Sequence, residues 1–390
     1  MRIAVPFRGA GCRAASALAF CLLSLAAPAA AQDSWWSTPC RVLDVQSPAE
    51  MVRRCTAAVR AGRWSSDDFA NAYINGGDEQ LRLGDHRRAV ANYSRALRLR
   101  PGHAETLFRR GNAFYAARDY RSALADYEAS LRPNPRYVGY LIGRANARYM
   151  LHDYAGALAD YSAAIEINPH DSAARIGRGN AFMVRHDPLR ALADYDIALR
   201  YPSSDPHAFY ARGAARMAQR DWDGALADFN RAYELNPNSA ATLARRARVY
   251  AARGNRGWAA ADFAEAERLA RGDASALNSL CWNLLLAGEP PERARAHCDA
   301  SLAIDPDDID TLHTRALVSL RQGNFRDAWT RLHRAMRRDR ANPELLYGRG
   351  LAALRLGRER EGRADIARAL AIEPGIGRVY AEDYGLPLSN

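Results

Sequence analysis

The feature that most constrains the fold of this chain is a period of 34 residues. Residues 104–137 contain two short segments of helical apolar periodicity, a break at 116–119 between them, and a close at Pro133 and Pro135. Moved forward by 34 positions, the stretch nearly repeats itself: Leu107, Gly111, Ala123, Tyr127 and Pro135 fall on Leu141, Ala145, Ala157, Tyr161 and Pro169. Two helices per unit at this period predict a solenoid, in which each unit buries its apolar face against its neighbours.

The repeat can be followed in register over most of the chain. We place nine units at 70–103, 104–137, 138–171, 172–205, 206–239, 240–273, 274–308, 309–342 and 343–376. All have 34 residues except the seventh, which has 35, with the additional residue in the turn at 288–291. The sixth unit fits least well, because Arg256 stands where an aromatic or apolar residue would bridge its helices. We therefore expect a bend or loosened packing in that unit.

The unit resembles the tetratricopeptide repeat. The resemblance rests on a large apolar residue at the fourth place, Gly or Ala at the eighth, Ala at the twentieth, an aromatic residue at the twenty-fourth and Pro at the thirty-second. It covers residues 70–376 and implies an all-α fold, a right-handed superhelical solenoid of tandem helix-turn-helix repeats. Residues 55–73 resemble the lead-in of secreted bacterial members, and we interpret residues 32–69 as an N-terminal cap. Residues 377–390 are a tail that can form a short helix covering the last repeat.

The first 31 residues have the layout of a cleavable signal peptide. Arg2, Arg8 and Arg13 supply a positive segment, and residues 14–26 form an apolar run too short to span a bilayer. Small residues at 29–31 predict cleavage near Ala31. We therefore exclude residues 1–31 from the fold and expect a periplasmic or secreted protein.

The formal net charge is +11, and all 55 cationic side chains are Arg, since the sequence contains no Lys. This bias fits codon composition, and it also fits selection for bidentate contacts to carboxylate or phosphate. Arg is spread through the repeats rather than clustered. A distributed positive charge loosely favours anionic partners, but it does not indicate a nucleic-acid-binding surface.

Cysteine usage suggests disulfide bonds. Two of the six Cys lie in the predicted signal peptide, which leaves Cys40, Cys55, Cys281 and Cys298. Four Cys allow three pairings, and proximity in sequence favours Cys40–Cys55 and Cys281–Cys298. A helical hairpin in the seventh unit would bring Cys281 level with Cys298. Two buried free thiols are an alternative, as is a metal site of Cys281, His297 and Cys298, although this set lacks the usual ligand spacing.

Arg at the seventh place of the repeat is accompanied by Asp at the twenty-third. The pairs are Arg110 with Asp126, Arg144 with Asp160, Arg178 with Asp194, Arg212 with Asp228, Arg246 with Asp262, and Arg349 with Asp365. In a hairpin that turns near the fifteenth place the two places are level, so we predict an ion pair within the hairpin or with the neighbouring repeat. If both groups are instead solvated, each pair contributes only ~0–1 kcal/mol.

The groove lined by the first helices is the predicted functional surface. Places two, five, nine, twelve and thirteen turn away from the partner helix, and in repeats two to five they are rich in apolar residues and Asn. The candidate peptide-binding residues are Phe108, Arg109, Asn112, Tyr115, Ile142, Asn146, Tyr149, Ile176, Asn180, Met183, Tyr210 and Met217. Asn can donate to and accept from an extended backbone, whereas Met and aromatic residues adapt to varied side chains. Alternatively, these residues only pack adjacent first helices.

Motifs of the common enzyme classes are absent from the sequence, which has no GxxxxGK, HExxH, GxSxG or CxxC. We therefore expect no enzymatic activity, no cofactor and no metal. The favoured function is a non-enzymatic periplasmic scaffold or adaptor that binds a protein or peptide in the groove. The alternatives are an accessory subunit of an envelope glycan-processing enzyme complex and a binder of anionic envelope components through the distributed Arg.

Overall fold

The fold is an array of antiparallel helical hairpins. The structure, a computed structural model, describes residues 65–200 and 205–388, and within them nine hairpins follow one another. The first helices are α1 (Ser66–Arg82), α3 (Ala104–Ala116), α5 (Val138–Met150), α7 (Ser172–Val184), α9 (Pro206–Ala218), α11 (Ala240–Ala252), α13 (Ala274–Leu286), α15 (Ile309–Arg321) and α17 (Pro343–Arg355). The second helices are α2 (His86–Leu99), α4 (Tyr120–Leu131), α6 (Tyr154–Ile167), α8 (Pro188–Ala198), α10 (Trp222–Leu235), α12 (Arg256–Leu269), α14 (Pro291–Ile304), α16 (Phe325–Ala335) and α18 (Glu359–Ile372).

A residue in the left-handed region turns every hairpin at the fifteenth place. Five repeats use Gly there, and four use Arg118, His152, His186 or Arg220, with φ between 56° and 63°. Residues other than Gly are strained in this region by roughly 1–2 kcal/mol, because their Cβ lies too close to the backbone. In five repeats Asp follows at the sixteenth place and caps the second helix, as where Asp119 accepts a hydrogen bond from the Ser122 N–H at 3.2 Å.

An aromatic ring at the twenty-fourth place wedges successive repeats together. The ring of Tyr127 lies against Gly111 of its own hairpin and Gly143 of the next, and a Cβ at either Gly would come within 2.8 Å of the ring. The two Gly therefore let the backbones of α3 and α5 approach the same ring. In the next repeat Gly177 of α7 lies against Tyr161 in the same way, whereas Ala145 stands at the place of Gly111.

The first helices lie on the inner side of the curved array. First helices of successive repeats contact one another, whereas successive second helices do so much less. Between repeats six and seven, the two first helices α11 and α13 pack on each other more extensively than the second helix α12 packs on α13. The packing therefore changes where the sequence fitted the repeat least well.

The apolar core is continuous only in the C-terminal half. From Ala240 to Tyr384 most of the buried apolar residues form one connected cluster. Repeats one to five instead contain several small clusters, each built around one or two rings, such as Tyr93, Tyr161 or Tyr195. The stabilising contacts of the N-terminal repeats therefore lie mostly between immediate neighbours.

The predicted Arg–Asp pairs form within all six hairpins that carry both residues. Each Arg donates from Nε and Nη2 to the two carboxylate oxygens of its Asp, at 2.6–2.9 Å. The Asp side chains are only 3–11% exposed, so the pairs are not solvated surface contacts. Some Arg also bond to the preceding repeat, as Arg178 does to Ser162 at 3.2 Å. The pairs thus link α-helices within and between repeats.

The seventh hairpin contains a disulfide bond between Cys281 on α13 and Cys298 on α14. Both Cys are fully buried, and their Cα atoms are 5.4 Å apart. The two Cys are therefore covalently linked. This rules out both alternatives for the pair, two free thiols and a metal site. The other predicted pair, Cys40–Cys55, lies outside the described residues, as do residues 1–31.

Reduction of the Cys281–Cys298 bond should lower the stability of the C-terminal repeats by about 2–3 kcal/mol, because it frees the chain between two Cys 17 residues apart. We expect a linked Cys281–Cys298 peptide in a non-reducing digest. We also expect the midpoint of urea unfolding to fall on reduction. A Cys281→Ser/Cys298→Ser variant should start at the lower midpoint and not respond to reductant.

None of the helices in the described part of the chain combines the length and apolar character that a membrane span requires.

Candidate interaction groove

Most of the candidate groove residues lie half-buried on the inner wall. This holds for Phe108, Asn112, Tyr115, Ile142, Asn146, Tyr149, Ile176, Asn180, Met183 and Tyr210. Five of them, Phe108, Asn112, Tyr115, Ile142 and Asn146, line one open pocket of about 420 Å³ between α3 and α5. Tyr127, Gly139 and Gly143 also line it. The structure thus brings the candidates of repeats two and three together in a concave, largely apolar surface.

The Tyr rings at the twenty-fourth place of the repeat hold the Asn side chains of this wall. The hydroxyl of Tyr127 donates to Asn112 Oδ1 at 2.8 Å, and those of Tyr161 and Tyr195 donate to the Asn of their own repeats in the same way, at 2.5 and 2.7 Å. Burial raises the pKa of all three Tyr well above its usual range, so each hydroxyl stays a donor. The Asn oxygen is thereby engaged, and the amide nitrogen makes no hydrogen bond to the described residues.

The sequence analysis did not predict this Tyr–Asn pairing, although a pattern in the sequence indicates it. Repeats one to four have Tyr at the twenty-fourth place and Asp or Asn at the ninth, whereas repeats five and six have Phe229 with Ala214 and Phe263 with Arg248. In repeats five and six, the Tyr hydroxyl and the side-chain oxygen that would accept from it are therefore both absent. The row of oriented amides therefore comprises Asn112, Asn146 and Asn180 and ends at repeat four.

Two candidates are poorly placed for a ligand. Met217 is only 6% exposed and packs in a small core with Phe229 and Val249, so it belongs to the hairpin interior rather than to the groove surface. Arg109 pairs with Asp78 at 2.5 Å and with Glu105 at 3.0 Å, which neutralises its charge. The groove of these repeats therefore presents oriented amides and apolar groups rather than a basic clamp.

In repeats seven to nine, the inner wall is covered by the C-terminal segment of the chain. After α18, the segment forms a short helix, α19 (Ile376–Arg378), and a π-helical turn at Val379–Asp383 that lie against the first helices of repeats seven to nine. Tyr380 is fully buried; its hydroxyl donates to the Glu344 carbonyl at 2.7 Å and lies 3.1 Å from His313 Nε2. Tyr384 contacts Trp282 edge-on, with ring centroids 5.4 Å apart. The tail therefore covers three repeats, whereas the sequence predicted a contact with the last one only.

One edge of the array meets the other near repeats four and nine. His186 Nε2, in the turn of repeat four, lies 3.0 Å from Glu373 Oε1 at the end of α18. Tyr154 of repeat three is close enough to Asp310 and Glu344 for electrostatic interaction. Burial is the main cause of the raised pKa of Tyr154, to about 12, with smaller contributions from Tyr149 and these acids. The turn of repeat four therefore contacts the end of repeat nine.

The described residues contain no group of three or more His, Cys, Asp or Glu arranged to hold a metal ion. The chemistry that the inner wall offers is hydrogen bonding, apolar contact and charge.

Comparison with known proteins identifies the repeat. A family model described as tetratricopeptide repeat matches residues 74–137, 108–172, 176–240 and 313–375, which together span more than half of the chain. A search of curated protein sequences found no match.

Solved structures share the architecture. A tetratricopeptide repeat protein from Parabacteroides merdae is 19% identical, with 64% of this chain and 98% of that chain covered and a TM-score of 0.52. PilF of Pseudomonas aeruginosa is 19% identical, with 54% and 96% covered and a TM-score of 0.48. A repeat protein of Thermus thermophilus is 21% identical, with 46% and 98% covered and a TM-score of 0.41. The all-α repeat solenoid and the family match agree, and the chain belongs to the tetratricopeptide repeat family.

Proposed function

We propose that this protein is a non-enzymatic adaptor of the periplasm or the secreted fraction, and that it holds an extended segment of a protein partner in the groove of repeats two to four. The observation that carries the proposal is the row of Asn112, Asn146 and Asn180. Their oxygens are engaged by Tyr hydroxyls, so their amide nitrogens are oriented donors. Carbonyl oxygens of an extended peptide are suitable acceptors for such a row.

The apolar residues beside the Asn row supply contact area. Phe108 and Ile142 line the pocket between α3 and α5, and Ile176 and Met183 continue the apolar surface along α7. All four are half-buried in the free protein, so a bound segment would remove further apolar area from water. Met and aliphatic side chains adapt to different partner residues, which suits an adaptor. The expected signal peptide supports the assignment to the periplasm or the secreted fraction.

The groove residues give this proposal a direct test. Mature protein, residues 32–390, should retain members of a random 12-residue peptide library, and an Ile142→Arg/Ile176→Arg variant should bind the selected peptides at least tenfold more weakly, because the two charges disrupt an apolar surface. Isothermal titration with the synthetic peptides gives the Kd values.

Leu189→Arg/Trp258→Arg is the matched control. It adds the same two charges at residues that are 67% exposed and lie on second helices. It should bind like the unmodified protein. If both variants lost affinity equally, or if neither did, the groove would not be the peptide-binding surface.

Binding of anionic envelope components through Arg is less well supported. The most regular set of Arg, at the seventh place of six repeats, is engaged by buried Asp. Binding through distributed surface charge would fall steeply between low and moderate salt, whereas binding in the groove would persist.

A further inference from the structure

A second pocket lies beside the C-terminal segment, between the turn of repeat eight, α17 and residues 385–387. Its volume is about 300 Å³. The apolar part of its lining comprises Leu320, Phe325, Leu351, Leu386 and Pro387. The guanidinium groups of Arg321 and Arg355 also line it, whereas no Asp or Glu is among the lining residues that the structure describes. The pocket therefore combines an apolar lining with positive charge.

Arg321 differs from the Arg of the repeat pairs because no carboxylate compensates its charge. Its Nε donates to the Tyr384 carbonyl at 2.9 Å and its Nη1 to the Leu285 carbonyl at 2.5 Å, and it forms no ion pair with the described residues. Carbonyl groups carry only partial charges. Burial lowers the pKa of Arg321, so its cation is poorly solvated. A cation in such surroundings gains free energy when an anion approaches.

The Nη2 nitrogen of Arg321 is a donor that a ligand can use. It makes no hydrogen bond within the described part of the chain, yet it is not sealed off from solvent. A Cβ at Gly385 would lie 3.7 Å from Nη2, and Gly385 has a φ of 63°. Because this residue of the pocket wall has no side chain, it leaves Nη2 uncovered. Carboxylate and phosphate oxygens form strong, charge-assisted hydrogen bonds with such a donor.

We propose that this pocket binds a small organic anion with an apolar body, whose carboxylate or phosphate group accepts a hydrogen bond from Arg321 Nη2 while the body packs on the apolar lining. Arg355, at the same place of the next repeat, adds a second positive charge. A volume of about 300 Å³ lies at the lower end of the range for ligand pockets and suits a medium-chain acid. The site lies outside the groove of repeats two to four and goes beyond the proposed function, so either proposal can fail without the other.

The test is isothermal titration of the mature protein, residues 32–390, with octanoate, octyl phosphate, octanamide and acetate. Octanamide has the apolar body without the charge, so it should bind roughly tenfold more weakly than the better of the two long-chain anions. Acetate has the charge without the body and should also bind roughly tenfold more weakly. The comparison of octanoate with octyl phosphate identifies the preferred head group. No detectable binding of either long-chain anion, or equal binding of octanamide, would overturn the proposal.

Two variants locate the site. Arg321→Gln removes the cation and should weaken binding of the preferred anion roughly tenfold. It also loses the contacts with the Leu285 and Tyr384 carbonyls, so circular dichroism has to show that it is folded. Leu386→Glu leaves both contacts in place and introduces a carboxylate into the pocket wall. Because this carboxylate compensates the guanidinium and repels an anion, the preference for the anion over octanamide should disappear.

Arg82→Gln is the matched control. Arg82 occupies the same place in repeat one, the thirteenth, and its side chain is 70% exposed. The variant removes one positive charge outside the pocket, so it should bind the anion like the unmodified protein. If Arg82→Gln weakened binding as much as Arg321→Gln, the overall positive charge rather than the pocket would hold the anion. A Leu386→Glu variant that still preferred the anion to octanamide would also contradict the site.

Discussion

Replacing Tyr380 with Ala should destabilise repeats seven to nine by about 3–5 kcal/mol. The ring is fully buried against Tyr347 and Tyr384, with centroid distances of 4.8 and 5.0 Å, and truncation would leave a cavity in the continuous C-terminal core. Hydrogen exchange of the α13, α15 and α17 amides is the suitable measurement, because it reports on the affected repeats alone. Protection should fall in these helices and remain unchanged in α3 and α5.

Two further variants show which contacts matter. Tyr380→Phe keeps the ring but removes the hydroxyl that donates to the Glu344 carbonyl, so it should cost about 1–2 kcal/mol. Leu388→Ala changes a residue of the same tail that is 50% exposed, and its effect should stay within about 0.5 kcal/mol. If Tyr380→Ala were as mild as Leu388→Ala, the tail would not be an integral part of the core.

The position of the tail also bears on where a partner can bind. Tyr380 and Tyr384 cover the first helices of repeats seven to nine, including Trp282 and His313. A partner would have to displace a fully buried ring there. In repeats two to four, by contrast, the pocket between α3 and α5 is open. The two halves of one inner wall therefore differ in accessibility.

Contacts within a single hairpin were predictable from the sequence. The period placed the helices, and the pairing of Arg144 with Asp160 followed from two places that are level in a hairpin. The Cys281–Cys298 bond followed from the same hairpin geometry. Such contacts span at most one repeat, so local spacing determines them.

Contacts between repeats that lie far apart in the sequence could not be predicted in this way. His186 and Glu373 lie five repeats apart, and they meet only because small rotations accumulate along the array. The route of Tyr380 to His313 likewise depends on how repeats seven to nine pack. No periodic signal encodes these contacts.

Replacing Asp160 with Asn should destabilise repeats three and four by about 3–4 kcal/mol, because it leaves the partly buried guanidinium group of Arg144 without its counter-ion. The carboxylate accepts from Arg144 at 2.6 and 2.9 Å and from Arg148 at 2.8 Å, and its side chain is 5% exposed. The Asn amide would also turn an N–H donor toward these donors. We expect a lower urea midpoint and faster hydrogen exchange in α5 and α6, since unfolding of a repeat array is largely local.

Glu166→Gln provides the matched control, because it removes a carboxylate from the same helix, α6, at an exposed position that forms no ion pair with any other residue the structure describes. Its effect should stay within about 0.5 kcal/mol. Equal effects of the two changes would mean that the Arg–Asp pairs contribute no more than solvated surface charges. A large difference, confined to the neighbouring repeats, would show that the recurring pair holds each hairpin closed. The side chains that orient the groove residues would then depend on it, since Asp160 directly precedes Tyr161, whose hydroxyl fixes Asn146.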